Sequence, residues 1–324
     1  MSNLKYVPVL LHSHSHHSDG HLTPEEVVRN AKDFGYKAMF LTDHNTDAGV
    51  DEIYDKNFDK DILPVFHGVE WTTFFGHLLI LGSHDAGNYT KATLTNIEDC
   101  MDEISAEYPD AIFSINHPFD MGNPICTGCH FEFNIDDYSK FSYLELINGE
   151  NSENSKSTQL AYRFWKKLLN DGYRLAALGG RDWHVKSKDD DSVPINMIGI
   201  NGEINEKNIL AAIKNANTYL TYGIIFNYNF KNTELGNEIS EGDFAGNISI
   251  EKGNFKNANY LNIVPKKIVI FNNEDLVFEK EINFGEDIEF NINPKKGYLR
   301  FEVLGDMKDT ENIRLVTTSP IFVK

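Results

Sequence analysis

The stretch that decides the fold is residues 6–20, which read YVPVLLHSHSHHSDG. The apolar run at 7–11 predicts a buried β-strand, and His12, Ser13 and His14 follow it at once. Because side chains alternate along a strand, His12 and His14 point to the same side. Two imidazoles placed in this way suit a metal ion, although so short a motif is about as often a solvated or packed pair.

Further apolar runs predict strands at 38–41, 63–69, 77–81, 111–115, 143–147, 175–178 and 195–200. Helical patterns lie between them. Capping boxes at Thr23 and Thr95 predict two helix starts, and residues 156–170 and 206–215 predict two more helices. Strands that alternate with helices indicate βα units, a parallel sheet, and a barrel or doubly wound fold.

Metal-ligating side chains occur at the ends of these strands. They are His12 and His14, His44, Glu70, His77 (which begins its strand), His117, and Asp182 with His184. In a barrel of parallel strands the carboxyl ends meet at one mouth, where active sites are built. So many ligands at equivalent points predict a site at that mouth.

From residue 223 the pattern changes to short strands rich in Ile, Val, Phe and Tyr. They are predicted at 224–230, 247–251, 267–271, 275–284, 287–292, 298–304 and 314–323. Because no helix separates them, they predict a small antiparallel, sandwich-like β domain. The sequence therefore predicts two domains, residues 1–221 and 222–324, which agrees with a length of 324 residues.

The amino-acid composition excludes several classes of protein. With 30 Lys and Arg against 49 Asp and Glu, the net charge of −19 argues against a broad surface that binds a nucleic-acid polymer. All twelve histidines lie between His12 and His184, so metal or proton chemistry is expected in the first domain only. Three cysteines cannot form a disulfide framework. No apolar run approaches a membrane span, and the N-terminal run is too short for a signal peptide, which predicts a cytoplasmic enzyme.

The ordered motifs resemble those of the PHP (polymerase and histidinol phosphatase) superfamily over residues 10–185. The motifs that carry this resemblance are His12-Ser13-His14 with Ser18-Asp19-Gly20, Thr42-Asp43-His44, Gly68-Val69-Glu70, His117-Pro118 and Asp182-x-His184. The extensions of these motifs and the ending Ser319–Val323 resemble the CehA/McbA branch. The resemblance implies a distorted seven-stranded (β/α) barrel that holds two or three divalent metals.

The resemblance also implies a ligand set. The first metal would be held by His12, His14, Glu70 and Asp182, and Glu70 would bridge to a second metal held by His77 and His117. A third would be held by Asp19, His44 and His184, although some relatives have His at the Asp19 position. Imidazole with carboxylate suits Zn, Mn or Fe, and the sequence does not choose among them.

This site would hydrolyse an ester through a metal-activated hydroxide. Glu70 would set the metal spacing, and Asp182 could move the proton to the leaving group. Arg181 could clamp a phosphate oxygen or form a structural salt bridge, and the two roles are equally expected. Asp43 is expected to orient a neighbour rather than to bind metal.

A small phosphate ester is the first expectation for the substrate. Bound cations would offset the −15 carried by the first domain, so an anionic ester is compatible with the acidic chain. A carbamate or carboxylic ester is the alternative, and a binding module with an inactive metal site is a further class. The role of the β domain, including oligomerisation, is open.

The segment Cys126-Thr127-Gly128-Cys129-His130 matches the CxxCH pattern of covalent haem attachment. That pattern also allows a redox pair or half of a metal site. We expect instead a loop near the mouth, with or without a role in substrate binding, since haem attachment would need export.

Overall fold

The structure, a computed structural model, describes residues 4–122, 129–150, 153–186 and 188–324. These form a mixed α/β fold with a large central sheet. The α-helices are α1 (Pro24–Phe34), α2 (Ala48–Asp55), α3 (Phe58–Asp61), α4 (Ile97–Glu107), α5 (Lys156–Asn170) and α6 (Glu206–Lys214). The strands up to residue 221 are β1 (Lys5–Leu10), β2 (Ala38–Leu41), β3 (Val65–Thr72), β4 (His77–Leu81), β5 (Ile112–Ile115), β6 (Tyr143–Asn148), β7 (Ala176–Gly180), β8 (Ile195–Ile200) and β9 (Thr218–Thr221). The later strands are β10 (Ile224–Asn229), β11 (Glu238–Ile239), β12 (Phe244–Lys252), β13 (Val264–Asn272), β14 (Asp275–Glu281), β15 (Asp287–Ile292), β16 (Gly297–Met307), β17 (Thr310–Thr318) and β18 (Ile321–Val323).

Strands β1 to β7 lie side by side in chain order. All neighbours pair in parallel except β4, which is antiparallel to both β3 and β5. Beyond β1 and β7 the chain pairs again at the bridge between Ser13 and Trp183, where the His14 amide donates to the Trp183 carbonyl at 2.9 Å. The strands β1 to β7 therefore form a ring, and the ring closes at the carboxyl ends of the parallel strands. Because β4 runs in the opposite direction, the first residue of β4 lies at this same end. We call this end the mouth.

Away from the mouth, side chains complete the edge of β7. Strand β8 pairs with β1, not with β7. The Asn196 amide of β8 both accepts from Gly179 N and donates to Gly179 O, each at 2.8 Å. Ser319 Oγ accepts from Ala177 N at 3.0 Å. The backbone of β7 is thus satisfied by two polar side chains where a neighbouring strand is missing.

The starts of two helices test the capping boxes predicted from the sequence. The capping box at Thr23 is confirmed, with Glu26 N donating to Thr23 Oγ1 and the Glu26 carboxylate accepting from Thr23 N. The box predicted at Thr95 is wrong, because α4 starts one residue later and the Glu98 carboxylate accepts instead from Asp136 N and Asp137 N. Helices α2 and α3 were not predicted. A separate apolar cluster joins alternate ring residues to Ile209 and Ile213 of α6 and fills the ring.

After residue 221 the strands form two groups and pair antiparallel, except that β11 runs parallel to β18. The ladder β13–β16–β17 continues the central sheet, since β17 pairs with β9, with Val316 opposite Thr221. Strands β10, β12 and β15 form a second sheet. The aromatic rings of the two groups pack together, with Phe230 stacked on Phe301 at 4.8 Å between centroids. The predicted strand 314–323 is two strands, since the chain breaks at Ser319-Pro320.

Within the described part of the chain, no helix has both the length and the apolar character needed to cross a membrane.

Candidate metal centre

The metal-ligating side chains picked out at strand ends come together at the mouth. His12 and His14 follow β1, His44 follows β2, Glu70 lies in β3, His77 begins β4, His117 follows β5, and Asp182 and His184 follow β7. Glu70, His12 and His14 are fully buried. A carboxylate surrounded by imidazoles in a buried position is the donor set of a transition-metal site.

The innermost group consists of His12, His14, Glu70 and Asp182. Glu70 Oε2 lies 3.1 Å from His12 Nε2 and 3.3 Å from His14 Nε2. Asp182 Oδ1 lies 3.4 Å from His12 Nε2 and 3.1 Å from His14 Nε2. Bonds of 2.0–2.1 Å to a tetrahedral Zn²⁺ would separate ligand atoms by about 3.3 Å. The four atoms are therefore spaced as ligands of one ion.

Unsatisfied polar atoms at the same place support this fit. His12 Nε2, His14 Nε2 and Glu70 Oε2 are buried and make no hydrogen bond within the described residues. Buried polar groups without a partner are rare, because desolvating them is unfavourable. A cation bound between them would satisfy all three atoms.

The other proposed ligands surround this group. Glu70 Oε1 lies 3.3 Å from His77 Nδ1 and 3.2 Å from His117 Nε2, so its two oxygens face two different sets of histidines. On the outer side, Asp19 Oδ1 lies 3.4 Å from His44 Nε2 and 3.0 Å from His184 Nε2. Asp19 is the most exposed of these ligands, with 60% of its side chain accessible. Among the described residues the potential ligand groups overlap with the implied sets without matching them. His14 joins Asp19, His44 and His184, and His44 joins Glu70 and His77. The assignment of ligands to two or three separate ions stays a prediction.

The charges of the group depend on one another. Burial disfavours charge on His14 and His117. The carboxylates of Asp182 and Glu70 beside His14, and the carboxylate of Glu70 that can accept from His117 Nε2, outweigh it and raise the pKa of each histidine to about 9. Burial likewise disfavours charge on Glu70, yet the nearby His12 and His44 hold its pKa well below the usual range. A raised pKa favours the protonated form of His14 and His117 when no cation is bound, and a divalent ion would take the place of that positive charge.

Four polar residues that the sequence analysis did not select hold the ligands in place. Glu145 Oε1 contacts His12 Nδ1 at 2.9 Å, and its Oε2 accepts from His117 N at 3.1 Å. Asn116 Nδ2 donates to Glu70 Oε1 at 2.8 Å. The remaining two contacts join Thr72 Oγ1 to His44 Nδ1 and Asn148 Nδ2 to Asp182 Oδ2. Such partners fix ring tautomers and orient ligands.

Glu145 carried a signal that could have identified it. It is a carboxylate in the middle of an apolar strand, and its residue is 1% exposed. A charge buried in a strand needs a partner. Its partner His117 has a φ of 24°, an uncommon value for a residue other than glycine, and the bond from His117 N to Glu145 helps to hold it there.

Asp43 orients the loop after β1, as expected. Its carboxylate accepts from Ser15 N at 2.6 Å, from Ser15 Oγ at 2.7 Å and from Ser18 Oγ at 2.7 Å. Asp43 is 1% exposed and belongs to none of the potential ligand groups among the described residues. Its role is to fix the backbone that carries His14 and Asp19.

Arg181 lies in the core and not among the ligands. It is 4% exposed, and its guanidinium carbon lies 3.7 Å from the Trp183 ring centroid and 4.1 Å from that of Phe34. The guanidinium also donates to Tyr36 Oη at 3.3 Å. This cation–π packing in a buried position differs from the phosphate clamp, which would need the guanidinium to be accessible at the mouth. The described contacts of Arg181 are therefore those of a residue packed in the core.

Most of the CxxCH segment lies outside the described residues, including Cys126. The described part, Cys129 and His130, packs next to the centre, with the Cys129 carbonyl 3.2 Å from His117 Nδ1. His130 forms an isolated β-bridge with Phe119. The end of this segment thus supports the orientation of His117.

Two comparisons concern the sequence. Residues 11–147 match the family model described as PHP domain. No curated protein matches the chain. The matched segment contains His12 to His117, and so includes most of the proposed ligands, but not Asp182 and His184.

Solved structures give a further comparison. The chain resembles a two-domain protein from Bacteroides vulgatus ATCC 8482 containing a predicted PHP-like metal-dependent phosphoesterase, at 15% identity and a TM-score of 0.57, over 99% of this chain and 96% of that one. It also resembles a lesion-specific endonuclease from Pyrococcus furiosus, at 17% identity and a TM-score of 0.45, over 65% of this chain and 56% of that one. The first of these likenesses shows that the fold of this chain recurs in a known structure.

Proposed function

We propose that this protein is a metal-dependent hydrolase of the PHP type whose substrate is a small phosphate ester. The observation that carries the proposal is the buried group of His12, His14, Glu70 and Asp182, with ligand atoms 3.1–3.4 Å apart. The match of residues 11–147 to the PHP domain adds support. Two or three divalent ions, Zn, Mn or Fe, would fit the donors.

When bound, such ions would lower the pKa of water to near neutrality and stabilise the charge that develops on the ester. The residues of the chain would position the ions and transfer the proton. Glu70 directs one oxygen to each histidine set and so fixes the distance between the first two sites. Asp182 is 22% accessible at its side chain and is the innermost carboxylate that reaches solvent, which suits it to pass a proton to the leaving group.

The domain arrangement is part of the proposal. Residues 1–221 would form the distorted (β/α)7 PHP-type barrel, and residues 222–324 the sandwich-like β domain of the CehA/McbA branch. The recurrence of a two-part fold in the B. vulgatus protein supports this division. A cytoplasmic location would agree with the low cysteine count.

One observation favours the second candidate, a carbamate or carboxylic ester. The cation that the sequence placed at the mouth for a phosphate, Arg181, stacks in the core instead. A neutral carbonyl ester needs no such cation, because ions alone can polarise its oxygen.

Three substrates that release the same product separate the two candidates. The purified, metal-loaded protein would be given p-nitrophenyl phosphate, p-nitrophenyl acetate and a p-nitrophenyl carbamate, with release of p-nitrophenolate as the readout. We expect turnover of the phosphate ester and its loss by at least about 100-fold in Glu70→Gln. Glu302→Gln is the matched control, since Glu302 is another buried carboxylate but contacts Arg300 in β16. Turnover of the carbonyl esters alone would refute the phosphoesterase, and no turnover of any would refute the hydrolase.

A further inference from the structure

A second group of metal-ligating side chains lies beside the mouth, apart from the centre. It consists of His16 and His17 in the loop after β1 and Glu52 on α2, and their ligand atoms lie within 4.8 Å of one another. Glu52 Oε2 lies 2.7 Å from His17 Nε2 and 3.9 Å from His16 Nε2. The side chains are 23% to 48% accessible, so an ion could enter from solution.

The spacing of this group is close to that of a coordinated ion. Ligand atoms around a tetrahedral Zn²⁺ lie about 3.3 Å apart. The distance from Glu52 to His17 is shorter than this and the distance from Glu52 to His16 is longer, so side-chain shifts below about 1 Å would equalise them. Two imidazoles and one carboxylate leave a fourth position for water, as in open zinc sites.

The backbone that carries the two histidines is held in place. His16 N donates to Leu22 O at 2.8 Å, and His17 N donates to Ser15 Oγ at 3.2 Å. Ser15 Oγ in turn donates to the buried carboxylate of Asp43. The imidazoles therefore project from an ordered loop, which reduces the entropy lost when they bind an ion.

The helix that carries Glu52 packs on the same carboxylate. A Cβ atom at Gly49 would lie 2.3 Å from Asp43 Oδ2, so α2 approaches Asp43 as closely as a glycine allows. Asp43 thus positions both the loop and the helix that meet at this group. The relative position of the histidines and of Glu52 is therefore supported by Asp43 as well as by the contact between His17 and Glu52.

One competitor is present. Lys56 Nζ lies 2.7 Å from Glu52 Oε1, in an i,i+4 pair with 56% of the Lys56 side chain accessible. It contacts the oxygen that the histidines do not face. An exposed pair of this kind is weak, so it would reduce the affinity for an ion without excluding it.

We propose that His16, His17 and Glu52 bind one divalent ion of the borderline class, such as Zn²⁺, Ni²⁺ or Cu²⁺. The ion would join the loop after β1 to α2, and the same loop carries Asp19 of the centre. The site is separate from the proposed catalytic ligands and does not depend on the proposed function.

The test counts Zn²⁺ ions on the full-length protein. After chelation and reloading, equilibrium dialysis with elemental analysis should find one equivalent fewer in His17→Ala and in Glu52→Gln than in the parent protein. His84→Ala is the matched control, because His84 is an exposed histidine that pairs with Glu206 at 3.4 Å. It should bind the full number.

A variant with higher affinity tests the proposal in a way that does not depend on whether His17→Ala and Glu52→Gln fold correctly. Lys56→Ala removes the lysine that competes for Glu52. It should lower the Kd of the most weakly bound Zn²⁺ by up to about fivefold. Equal stoichiometry in all variants would overturn the proposal. So would the loss of more than one equivalent in Glu52→Gln, since the group would then support the centre and hold no ion of its own.

Discussion

Glu145 offers the sharpest test of how the centre is held together. Its two oxygens take different hydrogen bonds, one at His12 Nδ1 and one from His117 N, on opposite sides of Glu70. In Glu145→Gln only one oxygen remains, and the new NH₂ group faces either a ring N–H or a backbone N–H. One buried donor then loses its acceptor, which costs about 1–3 kcal/mol. Since about 1.4 kcal/mol is a factor of ten, metal affinity should fall by about 10- to 100-fold.

The measurement is competition for Zn²⁺ against a chelator of known affinity, at one pH, with the purified full-length protein. Glu302→Gln is the control, because it places a glutamine at a second buried carboxylate far along the chain from the centre. It should retain the parent affinity. An affinity within twofold of the parent for Glu145→Gln, or an equal loss in both variants, would refute the reasoning.

Three further outcomes are expected. Arg181→Met should lower the free energy of unfolding by about 2 kcal/mol, because buried cation–π packing is lost. It should leave KM for a phosphate ester unchanged, and a tenfold rise in KM would show instead that Arg181 binds the phosphate. Thr72→Val should lower the affinity for the Zn²⁺ ion bound by His44 by about tenfold, because the His44 ring loses its hydrogen bond to Thr72 Oγ1; an unchanged Zn²⁺ titration would contradict this. The metal-free pKa of His14 and of His117 is about 9, so both are protonated below that pH and Zn²⁺ must displace their protons. Affinity should therefore rise from pH 7 to 9, and calorimetry in two buffers should detect proton release; a pH-independent affinity would show that these histidines are not ligands.

The strand ends of the first domain were predictable because each combines a run of apolar residues with a polar residue at a defined end. His12, His14, His44 and Glu70 follow from that rule alone. The place of His77 does not. It lies at the mouth only because β4 runs against its neighbours, and the direction of a strand is set by the hairpin at residues 73–76 and by pairing with β5. Pairing of this kind is a tertiary property.

Arg181 shows the opposite limit. It is adjacent in sequence to Asp182, and this adjacency suggested that both face the mouth. Asp182 has a φ of 48°, which breaks the regular alternation, and the aromatic rings of Phe34 and Trp183 offered the guanidinium a stacked site in the core. Neither the backbone turn nor the partner Phe34, from a distant helix, is visible in the local sequence.

The contact between Ser319 and β7 bears on how the protein is made. Ala177 N has its acceptor in a residue that is translated 142 positions later, and Asp182 follows Ala177 by only five residues. His12 and His14 leave the ribosome first, yet the ring that brings Asp182 to them lacks a finished edge until residue 319 has emerged. The edge of the strand that leads to Asp182 is therefore completed only once the chain has been translated as far as Ser319.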